Sequence, residues 1–273
     1  MSAVPFPDGA CDTHMHVYDG RFPVAPDAVL FPPDASVAHY RSLQSELGLT
    51  RVVVVQPTTY GLDNRLQLEA VDDLGPEARA VVVVDADVAE SELDDLTEAG
   101  TRGARFHLLP GGAVPWESLG PVAARVHERG WHIQLQLDGR RLAERLDALR
   151  ALPTPLVVDH IGLFAPPAPR SDPNVEALLT LIETGRCWVK LSAPYLSSAS
   201  GPPDYADVGE LARALVGHAP ERMLWASNWP HPGVPTPPPP STLASLLAAW
   251  AGDDATARRI LVDNPAEVYG FGT

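Results

Sequence analysis

Two imidazoles stand two residues apart in Asp12-Thr13-His14-Met15-His16, at the end of an apolar run near the start of the chain. Residues two apart on an extended strand face the same side, so His14 and His16 are aimed into one space. A third imidazole, His160, closes the run Leu156 to His160. Asn228 follows another apolar run, in Trp225-Ala226-Ser227-Asn228-Trp229-Pro230-His231. Imidazoles collected at strand ends can donate N–H groups to the oxyanion that forms when an ester carbonyl is attacked. Three neutral imidazoles can also hold zinc, with water in a fourth position. An amide takes no proton from water and is a poor metal ligand, so Asn228 can orient a substrate but cannot serve as general base. His14, His16, His160 and Asn228 are therefore the candidate catalytic residues. Strand alternation predicts that Asp159, next to His160, points away from them.

A carboxylated substrate needs a cation. Arg105, near the end of a strand-like run, can offer a bidentate guanidinium, and Lys190 is the second candidate. Arg102 is out of phase with Arg105 and reads as structural. Gln56, Thr58 and Tyr60 follow the second run, Gln136 ends the fifth, Tyr195 follows the seventh and His231 follows Asn228. These six complete the predicted substrate-binding set. His107 is in phase with Arg105 but reads equally well as core.

The elements that must carry these residues are legible as a repeat. Eight short apolar runs read as strands: Gly9 to Val17, Arg51 to Gln56, Arg79 to Asp85, Gly103 to Leu108, Trp131 to Leu137, Leu156 to His160, Cys187 to Leu191 and Arg222 to Ala226. Near-continuous apolar strands imply a parallel sheet buried on both faces. Between them lie helical patterns. One, Val37, Tyr40, Leu43 and Leu47, is bounded by Ser36 and Gly48. Others run through Leu119, Val122 and Val126, through Leu142, Leu146 and Leu149, through Val175 to Ile182, and through Leu243 to Trp250. Strand then helix, about eight times over, predicts an α/β fold, a (β/α)8 TIM barrel, as one domain over residues 1–273. A doubly wound sheet is the alternative, weakened because no glycine-rich phosphate loop follows the first strand.

Composition narrows the partners. The chain has 273 residues, 45% hydrophobic and 20% charged, with a net charge of −15. That charge argues against nucleic acid and anionic membrane. Cys11 and Cys187 read as buried thiols. No run reaches membrane-spanning length and the first residues lack a signal-peptide pattern, so a cytoplasmic location is expected. Oligomeric state is not legible.

Several motifs together resemble a known family. They are Asp12-Thr13-His14-Met15-His16, Val55-Gln56 with Asp63-Asn64, Ala99 to Arg105, Leu109-Pro110-Gly111-Gly112-Ala113-Val114, Asp159-His160, Trp188-Val189-Lys190, His218 to Arg222, Asn228-Trp229-Pro230-His231 and Asn264-Pro265. They resemble the amidohydrolase-related group that contains 2-pyrone-4,6-dicarboxylate lactonase and D-galactarolactone isomerase. The resemblance implies an amidohydrolase-like barrel acting on a small carboxylated lactone without a divalent metal. It also implies that the lactonase activates water with an aspartate at the position of Asn228, whereas the isomerase carries asparagine. The Leu-Pro-Gly-Gly-Ala-Val run and Tyr205-Ala206-Asp207-Val208 are closer to the isomerase. Metal-dependent barrels of the superfamily add a fifth-strand histidine and an eighth-strand aspartate, where this chain has Gln134 or Gln136 and Asn228. No cofactor is therefore expected, and one zinc on His14, His16 and His160 is the alternative.

The chain departs from both relatives. Leu163 replaces a basic residue, Leu196 stands where the lactonase carries another, and His14 replaces a glutamine of the isomerase. The two leucines favour a monocarboxylate or neutral lactone over a dicarboxylate. Physics separates the two reactions. A hydroxyl already on the substrate has an effective concentration worth up to roughly 7–11 kcal/mol, whereas water needs a base. Lactone isomerisation is expected ahead of hydrolysis. A zinc-dependent decarboxylase or amidohydrolase, and a binding protein on a decayed barrel, are the remaining alternatives.

Overall fold

The computed structural model describes residues 5–272. They form eight strands in sequence order: β1 Cys11–Met15, β2 Arg51–Val55, β3 Ala78–Val82, β4 Thr101–His107, β5 His132–Gln136, β6 Leu156–Val158, β7 Cys187–Leu191 and β8 Met223–Trp225. Every neighbouring pair is parallel. The alternation explains the valine-rich runs. Val53, Val55, Val81, Val157 and Leu224 pack inside the barrel, while Val52, Val54, Ala80, Val82, Leu156 and Val158 join the core beneath the helices. Each such valine or leucine side chain contributes about 1.5–3 kcal/mol on burial. Tyr269 and Phe271 close the bottom of the barrel against the inner valines.

Eight helices alternate with the strands: α1 Val37–Leu47, α2 Arg65–Leu74, α3 Glu90–Glu98, α4 Leu119–His127, α5 Leu146–Arg150, α6 Pro173–Glu183, α7 Ala206–His218 and α8 Pro240–Ala251. α1 has the expected limits. The Ser36 hydroxyl accepts from the His39 N–H, Gly48 stops the helix at φ 72°, and Tyr40, Leu43 and Leu47 are its buried residues. The element after β5 differs from expectation. Gly139–Arg145 winds as a 3₁₀ run and only Leu146–Arg150 is α-helical. The chain is pressed there against the β6 loop, where a Cβ on Gly139 would lie 2.2 Å from the Gly162 carbonyl.

β1 and β8 meet through a seam rather than a full ladder, which leaves the barrel nearly closed. The Thr13 hydroxyl donates to the Trp225 carbonyl at 2.8 Å. The Asn228 N–H donates to the His14 carbonyl at 2.9 Å, and the His16 N–H to the Trp229 carbonyl at 2.8 Å. The Asp12 carboxylate accepts from the Ser227 N–H at 2.9 Å, from the Ser227 hydroxyl and from the Tyr40 hydroxyl at 3.1 Å. Asp12 thus faces α1, and the register of β1 shifts between Asp12 and Met15. That shift lets Cys11 and His14, an odd number apart, both face the barrel interior.

Candidate active site

A buried polar tier sits above the apolar floor, with Asp159 at its centre. The Asp159 carboxylate accepts from Gln134 Nε2 at 3.0 Å, and Lys190 Nζ is 3.4 Å away. His14 Nδ1 stands 3.2 Å from it and Arg105 Nε 4.0 Å. Burial alone would raise this carboxyl; the charges and donors packed around it, with Lys190 the cation that remains while His14 is neutral, outweigh burial and hold it well below the usual range. The expectation that Asp159 points away is overturned. Asp159 is in phase with Val157, which faces the interior. The residue that breaks alternation is His160, whose φ of 54° turns the chain so that its ring re-enters the mouth.

Lys190 is the hub cation, not a substrate contact. Its Nζ donates to Gln134 Oε1 at 2.6 Å and lies 3.3 Å from His14 Nδ1, so three donors meet three acceptors. Its side chain is fully buried. Burial pushes its pKa down to about 8, with Asp159 opposing, and the ammonium persists at neutral pH.

His14 also lies one tier below the cavity and does not line it. His16 Nδ1 is 2.7 Å from the Val55 carbonyl and must donate to it, which leaves His16 Nε2 as an acceptor. His14 Nε2, 3.1 Å away, donates to that nitrogen, and His14 Nδ1 accepts from Lys190. Both nitrogens are therefore engaged with protein. Burial lowers the pKa of both rings well below the ordinary value, with Lys190 adding at His14 and Arg105 at His16. The expected role of His14 as a direct donor to the carbonyl is corrected to one of holding His16.

The upper tier forms a cavity of about 80 Å³ at the C-terminal mouth, where barrels of this type build their sites. His16, Thr58, Arg105, Gln136, His160 and Asn228 line it, as the sequence predicts. Arg105 donates to the Gln56 carbonyl and to Gln136 Oε1, both at 2.7 Å, and its Nε has no partner. Neutral acceptors thus fix the guanidinium, with the Asp159 carboxylate 4.0 Å behind Nε and no carboxylate of the protein bonded to it directly. His160 Nδ1 is 2.9 Å from the Ser192 hydroxyl, and burial pushes its pKa to about 4. The imidazole is neutral.

Asn228 is held by a directional chain. Asn228 Nδ2 donates to the Tyr195 hydroxyl oxygen at 2.9 Å. That hydroxyl keeps its own proton for His231 Nδ1, 2.9 Å away in a ring that burial leaves neutral, with its pKa pushed down to about 4. The amide hydrogens are turned to Tyr195, and Oδ1, which bonds no described residue, is left for a ligand. Asn228 and His231 both adopt left-handed φ, 59° and 65°, a local cost met by the surrounding seam.

Four further expectations change. Tyr195 and His231 act through Asn228 instead of lining the cavity. Tyr60 spends its hydroxyl on the backbone of Asp19, and the Gln56 side-chain amide spends its hydrogens on the Gly61 and Asp63 carbonyls. The sequence missed Tyr18 and Leu30, which line the cavity, Ser192, which orients His160, and Gln134, which ties Asp159 to Lys190 in the tier below. Leu196 does reach the cavity wall; Leu163 does not line it.

The atoms able to hold a metal ion are those of His14, Asp159 and His160, within 4.8 Å of one another, with Asp159 in the place expected of His16. They do not fit a divalent ion as they stand. The Lys190 ammonium already lies against two of the three, and a second cation there would meet it at close range in a low dielectric.

The family model described as Amidohydrolase matches residues 11–271. The chain is 39% identical to D-galactarolactone isomerase of Agrobacterium fabrum, covering 97% of this chain and 92% of that protein. It is 35% identical to 2-pyrone-4,6-dicarboxylate hydrolase of Comamonas testosteroni, covering 96% and 90%. A crystal structure of an Agrobacterium tumefaciens protein, in its apo form, superposes with a TM-score of 0.93 at 39% identity, covering 98% of each chain.

Proposed function

The chain belongs to the amidohydrolase family, and from that membership we propose that it is an enzyme acting on a small carboxylated lactone, with ring isomerisation favoured over hydrolysis. Arg105 receives the substrate carboxylate. His160, with Nδ1 accepting from Ser192, turns Nε2–H toward the lactone carbonyl and stabilises the developing oxyanion. His16, fixed by Val55 and His14, walls the other side. A hydroxyl of the substrate itself attacks the carbonyl carbon, a new ring C–O bond forms, and the old one breaks. The attacking oxygen loses a proton and the departing oxygen gains one, so the reaction consumes none and needs no resident carboxylate.

The observation that carries this reading is the orientation of Asn228. Its free Oδ1 can accept a hydrogen bond from the attacking hydroxyl and aim it, while an amide leaves water without a base. The relatives named for isomerisation and for hydrolysis support lactone chemistry of either kind. Hydrolysis is the second reading, which needs the other tautomer: with Nδ1–H donating to the Ser192 hydroxyl, the neutral His160 ring turns an unprotonated Nε2 to the cavity and can take a proton from water. The reading uses no metal, because Lys190 supplies the cation that neutralises Asp159. Turnover in heavy-oxygen water tests it. A changed ring without label in the product supports isomerisation, and one heavy oxygen per carboxylate formed assigns hydrolysis.

A further inference from the structure

A second cavity, of about 310 Å³, opens beside the catalytic one between the loop after β4 and the turn after β5, and His107 lines both. The catalytic cavity, at about 80 Å³, falls short of the roughly 300–1,000 Å³ usual for a small-molecule site. A lactone with substituents therefore has to extend beyond it, and the space past His107 is the adjoining cavity that carries an unpaired cation. The second cavity combines an apolar wall, including Leu108, Val114 and Leu137, with charged residues from the turn.

Those charges do not cancel. The Asp138 carboxylate is held by Arg140 at 2.9 and 2.7 Å, and Arg141 is paired with Glu144 at 2.7 Å. Arg145 is the cation left over. Its guanidinium lies 4.2 Å from the centre of the Trp116 ring and makes no hydrogen bond or ion pair among the described residues. A guanidinium stacked by its face on an indole keeps its N–H edge free for a planar anion. The site is half-buried, so the charge is only partly screened.

We propose that this cavity is the subsite for a second carboxylate of the substrate, with Arg145 as its cation and Trp116 as the platform that presents it. The proposal rests on the lactone reading and sharpens it to a dicarboxylate. One carboxylate pairs with Arg105, the lactone carbonyl lies against His160, and the far carboxylate reaches Arg145. Leu196 leaves one wall of the catalytic cavity without a charge, and Arg145 supplies one in the adjoining cavity.

The test compares a lactone bearing one carboxylate with its homologue bearing two. In the Arg145→Gln variant the ratio of kcat/KM, diacid over monoacid, is expected to fall about tenfold or more, through KM. Arg145→Lys, which keeps the charge but not the stacked fork, is expected to recover part of it. An unchanged ratio overturns the subsite. A calorimetric arm is independent of turnover: glutarate is expected to bind the wild type more tightly than butyrate, and Arg145→Gln to abolish that preference. If neither lactone is turned over, the lactone reading fails by itself. The calorimetric result still decides the subsite, since a preference that does not depend on Arg145 overturns it.

Discussion

Replacing Asn228 by aspartate is the sharpest perturbation of this site. The change is nearly isosteric and puts a carboxylate oxygen where Oδ1 now faces the cavity. A positioned base is worth roughly 10²–10⁴ in rate, and water is the nucleophile that lacks one here. The gain is not free of cost. Tyr195 now has one proton and two acceptors, the new carboxylate and His231 Nδ1, where before it accepted from Asn228 and donated to His231. One hydrogen bond is lost unless His231 changes tautomer, at about 0.5–1.5 kcal/mol, or up to roughly tenfold in rate. The net expectation is a rise in hydrolysis of about ten- to a thousandfold relative to isomerisation. The assay is the fraction of product carrying heavy oxygen, measured by mass spectrometry on matched wild-type and Asn228→Asp protein. Tyr195→Phe in the Asn228→Asp background removes the competition and is expected to preserve the shift. A folded Asn228→Asp enzyme with an unchanged label fraction would refute the idea that the amide directs the reaction.

Three other outcomes follow from the buried tier and the barrel floor. Lys190→Met leaves Asp159 without its nearest cation, and breaking a buried pair from one side is expected to cost about 3–5 kcal/mol in urea unfolding; a loss below about 1 kcal/mol contradicts the assigned network, and Lys190→Met with Asp159→Leu is expected to recover much of the stability. Dialysis against a chelator is expected to leave turnover intact and added zinc to give no activation, measured alongside metal content; stoichiometric zinc required for turnover contradicts the metal-free reading. His132 is buried with neither ring nitrogen partnered, and burial pushes its pKa to about 3 against about 6.5 unfolded. The unfolded chain then protonates first, so stability present above about pH 6.5 is lost as pH falls toward 3, at up to about 1.4 kcal/mol per pH unit from this group. His132→Phe is expected to flatten the urea midpoint between about pH 7 and pH 5, and an unaltered slope argues against a buried neutral imidazole.

The strands were legible because parallel strands buried on both faces become runs of valine and leucine, and β7 has the expected limits at Cys187 and Leu191. The helices α2, α3 and α7 were not singled out. α3 buries only Leu93 and Leu96 among acidic neighbours, so its apolar stripe is thin; α7 does carry Val208, Leu211 and Leu215 at helical spacing, with Gly209 and Ala212 interleaved in the same buried face. The cavity residues were legible by their strand-end positions. Asp159 was misplaced because alternation was applied from His160, and a left-handed backbone at a histidine leaves no mark in sequence. The inward turn of His14 depends on a register shift in β1, which is equally silent. The partition of Tyr195 and His231 into supporting roles needs a chain of distances that no spacing contains.

Lys190 gives this barrel a positive charge that arrives with translation. It needs no uptake, no delivery and no defence against a competing ion, and it cannot be lost to dilution. On the proposed metal-free reading, what the protein gives up is a Lewis acid that a substrate could touch, because this charge is buried beneath the cavity. The repertoire on that reading narrows to esters already activated by their own ring, and the working state is complete when the last strand closes.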